Sequence, residues 1–107
     1  MIKVTIKSQN HSIKEIQVLG HADSNEYGKD LVCAGVTTCC VGIANRLDQY
    51  HFLDQHMGTI DLKEGFFEIK VNHCDEKIQV VLETLVTILE TIEESQSQYM
   101  KITKMEV

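Results

Sequence analysis

Hydrophobic and polar residues alternate at the start of the chain. Ile2, Val4 and Ile6 fall on one side, and Lys3, Thr5 and Lys7 on the other. A period of two marks a strand with one buried face. The polar run Gln9-Asn10-His11-Ser12 predicts a turn. A second strand follows over about Ile13–Leu19, with Ile16 and Val18 on a common face, so the opening reads as a hairpin. The stretch from Gly20 to Lys29 breaks the pattern. It is polar, carries Gly28 near its end, and reads as a mobile loop.

The period then changes to that of a helix. Asp30 predicts an N-cap, since its carboxylate can accept from unpaired first-turn amides. From there to about Tyr50, Val32, Val36, Cys39, Cys40, Ile43 and Leu47 recur at helical spacing. Two short strands, about Met57–Leu62 and Phe66–Val71, are joined by Lys63-Glu64-Gly65. Asp75–Glu94 is the clearest helix, striped by Ile78, Val81, Leu82, Leu85, Leu89 and Ile92, with Glu83, Glu90, Glu93 and Glu94 mostly opposite. A last strand covers about Tyr99–Met105. The order ββαββαβ predicts an α+β fold, two helices packed on a mainly antiparallel sheet, as a single domain over residues 1–107.

Composition narrows the partners. The net charge of −6 repels phosphate backbones, which argues against direct nucleic-acid binding and suits a basic protein or peptide. The bland alternative is that mild acidity only keeps the chain soluble. No signal-peptide pattern opens the sequence, and no run of about 18 apolar residues marks a membrane span, so the expectation is a cytoplasmic protein with no membrane partner and reduced cysteines. Cys33, Cys39, Cys40 and Cys74 include no C-x-x-C pair, which leaves no zinc signature and no evident redox couple. No metal or cofactor is expected.

Candidate chemistry centres on Cys33. With Asp30 as cap, Cys33 is the third helical residue. There, free amides and the positive end of the helix dipole favour a thiolate and could hold an oxyanion. His21 lies twelve residues earlier, just past the second strand, where its imidazole could meet the helix start as the base of a Cys–His pair. The competing reading is structural: a lone cysteine on an apolar helix face is usually a small core residue. Cys39 and Cys40 are read as packing residues. His73 and Cys74 are read as capping or surface residues. Asp30 is either the cap or a third member that orients His21. Thr37, one turn beyond Cys33, either faces the same site or bonds within the helix.

Gly20-His21-Ala22, followed by Gly28-Lys29-Asp30-Leu31-Val32-Cys33-Ala34-Gly35-Val36-Thr37, closely resembles the ribosomal-processing cysteine protease family, Prp. The likeness covers the whole chain. It implies a bacterial endopeptidase that removes the N-terminal extension of a large-subunit ribosomal protein precursor. The catalytic pair would be His21 and Cys33, with Asp30 and Thr37 in support, Gly20 and Gly28 in the motif, and no cofactor. Thr37 stands where the family commonly has Ser, and Gly35 where it usually has Ala. The resemblance also implies a homodimer, and a substrate that is basic, as ribosomal proteins are, and so attracted to an acidic enzyme. The Gly20–Lys29 loop would then fold over the peptide with Gly28 as hinge. A rival function is a non-catalytic module that docks on a ribosomal protein or assembly factor.

Overall fold

The structure, a computed structural model, describes residues 1–20, 27–73 and 75–107, with positions 27–30 given as backbone. Its elements are β1 (Ile2–Gln9), β2 (Ser12–Leu19), α1 (Tyr27–Gln49), β3 (Gly58–Lys63), β4 (Phe66–Val71), α2 (Glu76–Ser95) and β5 (Met100–Glu106). The order is the expected ββαββαβ. The strands form one 5-stranded sheet in the order β3-β4-β2-β1-β5. Every pairing is antiparallel except that of β1 with β5.

The alternating pattern gives the sheet its two faces. Val4 pairs with Val18 and Ile6 with Ile16, and Ile16 pairs in turn with Ile69. These side chains lie in one apolar cluster with Phe67, Val71 and Met100. The opposite face is polar, with Lys7 and Glu15 paired at 3.2 Å and the Gln17 amide donating to Glu68 at 2.8 Å.

Ile13 is out of phase with Ile16 in the sequence yet is buried. A bulge explains it. Lys7 pairs with Glu15 and Ser8 with Ile13, so Lys14 is extra and Ile13 returns to the core face. The main chain at Ile13 lies beyond the stretch of β2 that pairs with β4, and the buried side chain of Gln79 takes the strand's place. Its Oε1 accepts from the Ile13 amide at 2.8 Å, and its Nε2 donates to the Ile13 carbonyl at 2.9 Å.

α2 is capped by Asp75, whose Oδ1 accepts from the Ile78 amide at 3.1 Å. Ile78, Leu82, Leu85 and Leu89 are buried in the core. Glu93 points back to the sheet and accepts from the Ile102 amide at 2.7 Å. That contact helps cover the exposed edge of β5. Phe52, in the turns after α1, is fully buried beside Gly58, where a Cβ would collide with its ring. The sequence reading did not place Phe52 in the core.

α1 corrects two expectations. It begins at Tyr27, so Asp30 is its fourth residue rather than its N-cap, and Gly28 is its second residue rather than a loop hinge. A glycine inside a helix costs only about 1 kcal/mol, and no proline blocks the extension, so helix can continue toward the N-terminus past Asp30. Leu31–Gln49 is also long and apolar enough, by length and composition, to cross a membrane, which the sequence reading did not expect. Here Val32, Val36, Cys40 and Leu47 of that segment pack in the core.

Candidate active site

Three pieces of chain meet at one end of the sheet: the end of β2, the N-terminal half of α1 and the β3–β4 turn. Gly20 follows β2 with a φ of +121°, backbone that favours glycine. A Cβ there would stand 2.8 Å from the Met1 carbonyl oxygen. The Gly20 amide donates to the Gly65 carbonyl at 3.0 Å, and Gly65 itself has a φ of +71°. The β3–β4 turn is thereby tied to the last residue before His21.

Cys33 is half-buried on α1, beside the buried stripe of Val32, Val36 and Cys40. It opens onto a cavity of about 730 Å³, within the ordinary range for ligand sites. Gly20 and Thr37 line the same cavity. Ile2, Val18, Phe66 and Phe67 give it apolar walls, and Lys63 and Glu64 add charge. The Lys63 ammonium lies 5.6 Å from the Phe66 ring centre and 3.5 Å from Asp61.

Of the residues singled out in the sequence, Gly20, Cys33 and Thr37 are thus brought to one cavity. Gly28 and Asp30 lie in the first turn of α1. His21 and Cys74 lie outside the described residues. The first-turn argument for Cys33 needs correction. Cys33 is the seventh residue of α1, so its amide belongs to the helical ladder and cannot serve an oxyanion, and the helix-dipole effect fades within the first turn.

The other cysteines differ. Cys40 also reaches the cavity lining, but it is only 2% exposed. Burial, with the adjacent Cys39 adding to it, pushes its thiol up to about 12. Cys39 and Cys40 are unbridged. Cys39 lies six positions along the helix from Cys33, a rise of about 9 Å, beyond the reach of a disulfide between them. The cavity wall built by Leu62 to Phe67 was not read from the sequence. Its signal was faint: one glycine in a hairpin turn, flanked by Phe66 and Phe67.

The family model for Cysteine protease Prp matches residues 1–101. The chain belongs to the cysteine protease Prp family. A ribosomal processing cysteine protease Prp of Bacillus subtilis is 32% identical over 111 residues, 96% of each chain. The crystal structure of an essential ribosomal processing protease Prp from Staphylococcus aureus, in complex with a substrate peptide, superposes with a TM-score of 0.79 at 26% identity, over 97% of this chain and 99% of that one. The same S. aureus enzyme with a covalently linked product peptide gives a TM-score of 0.77 at 27% identity, with the same coverage. The protein is a cysteine protease, and the reading of it as a non-catalytic module falls away.

Proposed function

We propose that the protein removes the N-terminal extension of a bacterial large-subunit ribosomal protein precursor through a Cys33–His21 dyad. The observation that carries the reading is the shared cavity. Cys33 lines it, and so does Gly20, the residue bonded to His21. The relatives named for ribosomal processing, and the S. aureus complexes with substrate and covalently linked product peptides, support the substrate class.

In this mechanism His21 takes the proton from the Cys33 thiol, and the thiolate attacks the scissile carbonyl carbon. The resulting tetrahedral oxyanion collapses as the imidazolium gives its proton to the departing amine, leaving a thioester on Cys33. His21 then takes a proton from water. The hydroxide adds to the thioester, and the acid product leaves as the thiolate recovers its proton. Asp30, in the first turn of α1, would be the third member that orients the imidazole. Thr37 sits one turn beyond Cys33 on the cavity wall, where its hydroxyl can meet the bound peptide.

An extended peptide fits the cavity's chemistry. Apolar side chains find Ile2, Val18 and Phe66, and the acidic net charge draws in a basic substrate. We place the enzyme in the cytoplasm as a homodimer, with no nucleic acid or membrane partner. The test is cleavage of a synthetic peptide spanning the precursor's extension and the start of the mature protein. The expected result is one cut at the junction by the wild type and none by His21→Ala. An uncut peptide with the wild type, or full cleavage by His21→Ala, overturns the reading.

A further inference from the structure

We infer that the outer edge of β3 holds the main chain of the substrate, the peptide adding as a further strand beside Ile60 and Leu62. This rests on the reading of Cys33 as nucleophile and adds how an extended peptide is brought to it.

The sheet ends in β3 on one side and β5 on the other. An edge strand turns a row of amides and carbonyls outward, and proteins commonly block such a row. β5 is blocked. The Glu93 carboxylate takes its Ile102 amide at 2.7 Å, and Glu90 draws Lys104 onto α2 at 2.9 Å.

On β3 the register decides which groups face outward. Opposite residues of an antiparallel pair alternate between those that exchange hydrogen bonds and those that do not. The Asn72 amide donates to the Met57 carbonyl at 2.7 Å, continuing the register in which Gly58 meets Val71. Met57 and Asn72 are thus a bonded pair. Thr59–Lys70, Asp61–Glu68 and Lys63–Phe66 follow at steps of two. Ile60 and Leu62 fall between them and turn amide and carbonyl away from β4. Among the described residues, no strand pairs with that side.

This open row lies at the site. Leu62 lines the same cavity as Cys33. It shares the core face with Phe67 opposite, yet Leu62 is 52% exposed while Phe67 is buried. The packing that covers β4 stops short of β3 and leaves an apolar step beside the outward backbone. A peptide strand seated about 4.8 Å from β3 fills that step. Its main chain bonds Ile60 and Leu62, and its alternate side chains reach the cavity. Main-chain bonds tolerate many sequences, so the edge supplies affinity and the cavity walls choose side chains.

The test follows amide hydrogen exchange by NMR in Cys33→Ala, with and without the peptide spanning the precursor's extension. In the free protein, the Ile60 and Leu62 amides should exchange at least about tenfold faster than those of Thr59 and Asp61. Saturating peptide should slow Ile60 and Leu62 by roughly tenfold or more. A second arm gives the wild type peptides with one N-methyl group at successive positions. Every second position on one side of the scissile bond should lower kcat/KM roughly tenfold, the scale of one hydrogen bond, with the positions between near the parent. Leu62→Pro, which removes an outward amide that an edge strand can lose, should fall below Leu62→Ala by a similar factor. If Leu62→Pro does not fold, the methylated peptides decide. A peptide that shifts the Thr37 and Phe67 resonances while Ile60 and Leu62 exchange as before overturns the inference and leaves the nucleophile standing. A flat methylation profile overturns it too. So does protection that grows with protein concentration alone, which would make a second copy the occupant. A peptide still cut by Cys33→Ala, or left uncut by the wild type, ends the underlying reading and the inference with it.

Discussion

Cys33 and Cys40 lie on the same helix, seven residues apart, and both reach the same cavity, yet they are chemically unlike. Cys33 is half-buried at the mouth between α1, the end of β2 and the β3–β4 turn. Cys40 is 2% exposed, and burial holds its thiol at about 12, so it carries almost no thiolate at neutral pH. Two turns of helix, about 10 Å, separate the proposed nucleophile from a packing residue. What distinguishes them is depth in the core, since neither stands in the helix's first turn.

The largest expected effect breaks the pair apart by activity. Cys33→Ala should lower turnover by at least about 1,000-fold with thermal unfolding unchanged, because the proposed acyl-enzyme forms on its sulfur. Cys40→Ala should keep turnover within about twofold. Peptide cleavage and unfolding curves measured side by side check both, and equal losses of activity would erase the distinction.

The next effect belongs to Cys40 alone and appears in alkaline solution. Its thiol ionises near 9.0 when unfolded and near 12 when folded. Between those values the unfolded chain binds fewer protons than the native one. Stability from this residue is therefore complete below pH 9 and falls as pH rises toward 12, by about 1 kcal/mol per unit. Urea unfolding at pH 8 and pH 10.5 should show a steeper loss in the wild type than in Cys40→Ala. Parallel losses would mean that Cys40 is not held neutral by burial.

At pH 7 the same substitution should cost about 1–2 kcal/mol, from the small void left among Val36, Leu47 and their neighbours. Equilibrium unfolding gives the number directly. The smallest effect compares two adjacent hydroxyls. Thr37 lines the cavity, whereas the Thr38 hydroxyl donates back to the Ala34 carbonyl at 2.9 Å. Thr37→Val should reduce kcat/KM roughly fivefold, about 1 kcal/mol, the scale of one hydrogen bond. Thr38→Val should leave it unchanged.

Much of this was legible in the residues. The period-two run from Ile2, the hairpin turn at Lys63-Glu64-Gly65 and the Ile78–Leu89 stripe gave the element order, because each local pattern agrees with the burial it receives. Ile13 and Phe52 were not readable as core, since one depends on a bulge at Lys14 and the other on the space left by Gly58. The start of α1 was misjudged because Asp30 suits a cap but also tolerates the first turn. At the site, the Gly20-His21 and Asp30-to-Cys33 motif stood out as sequence. The opposite wall did not, because Gly65 meets Gly20 only through the pairing of distant strands.

The most direct test of the central claim is to trap the reaction part-way. Precursor peptide and protein are mixed, quenched in acid within milliseconds, and digested for mass spectrometry. The account predicts a thioester carrying the N-terminal extension on the fragment that contains Cys33, with Cys39 and Cys40 unmodified. An adduct on a different residue, or undiminished cleavage by Cys33→Ala with no adduct at all, would contradict it.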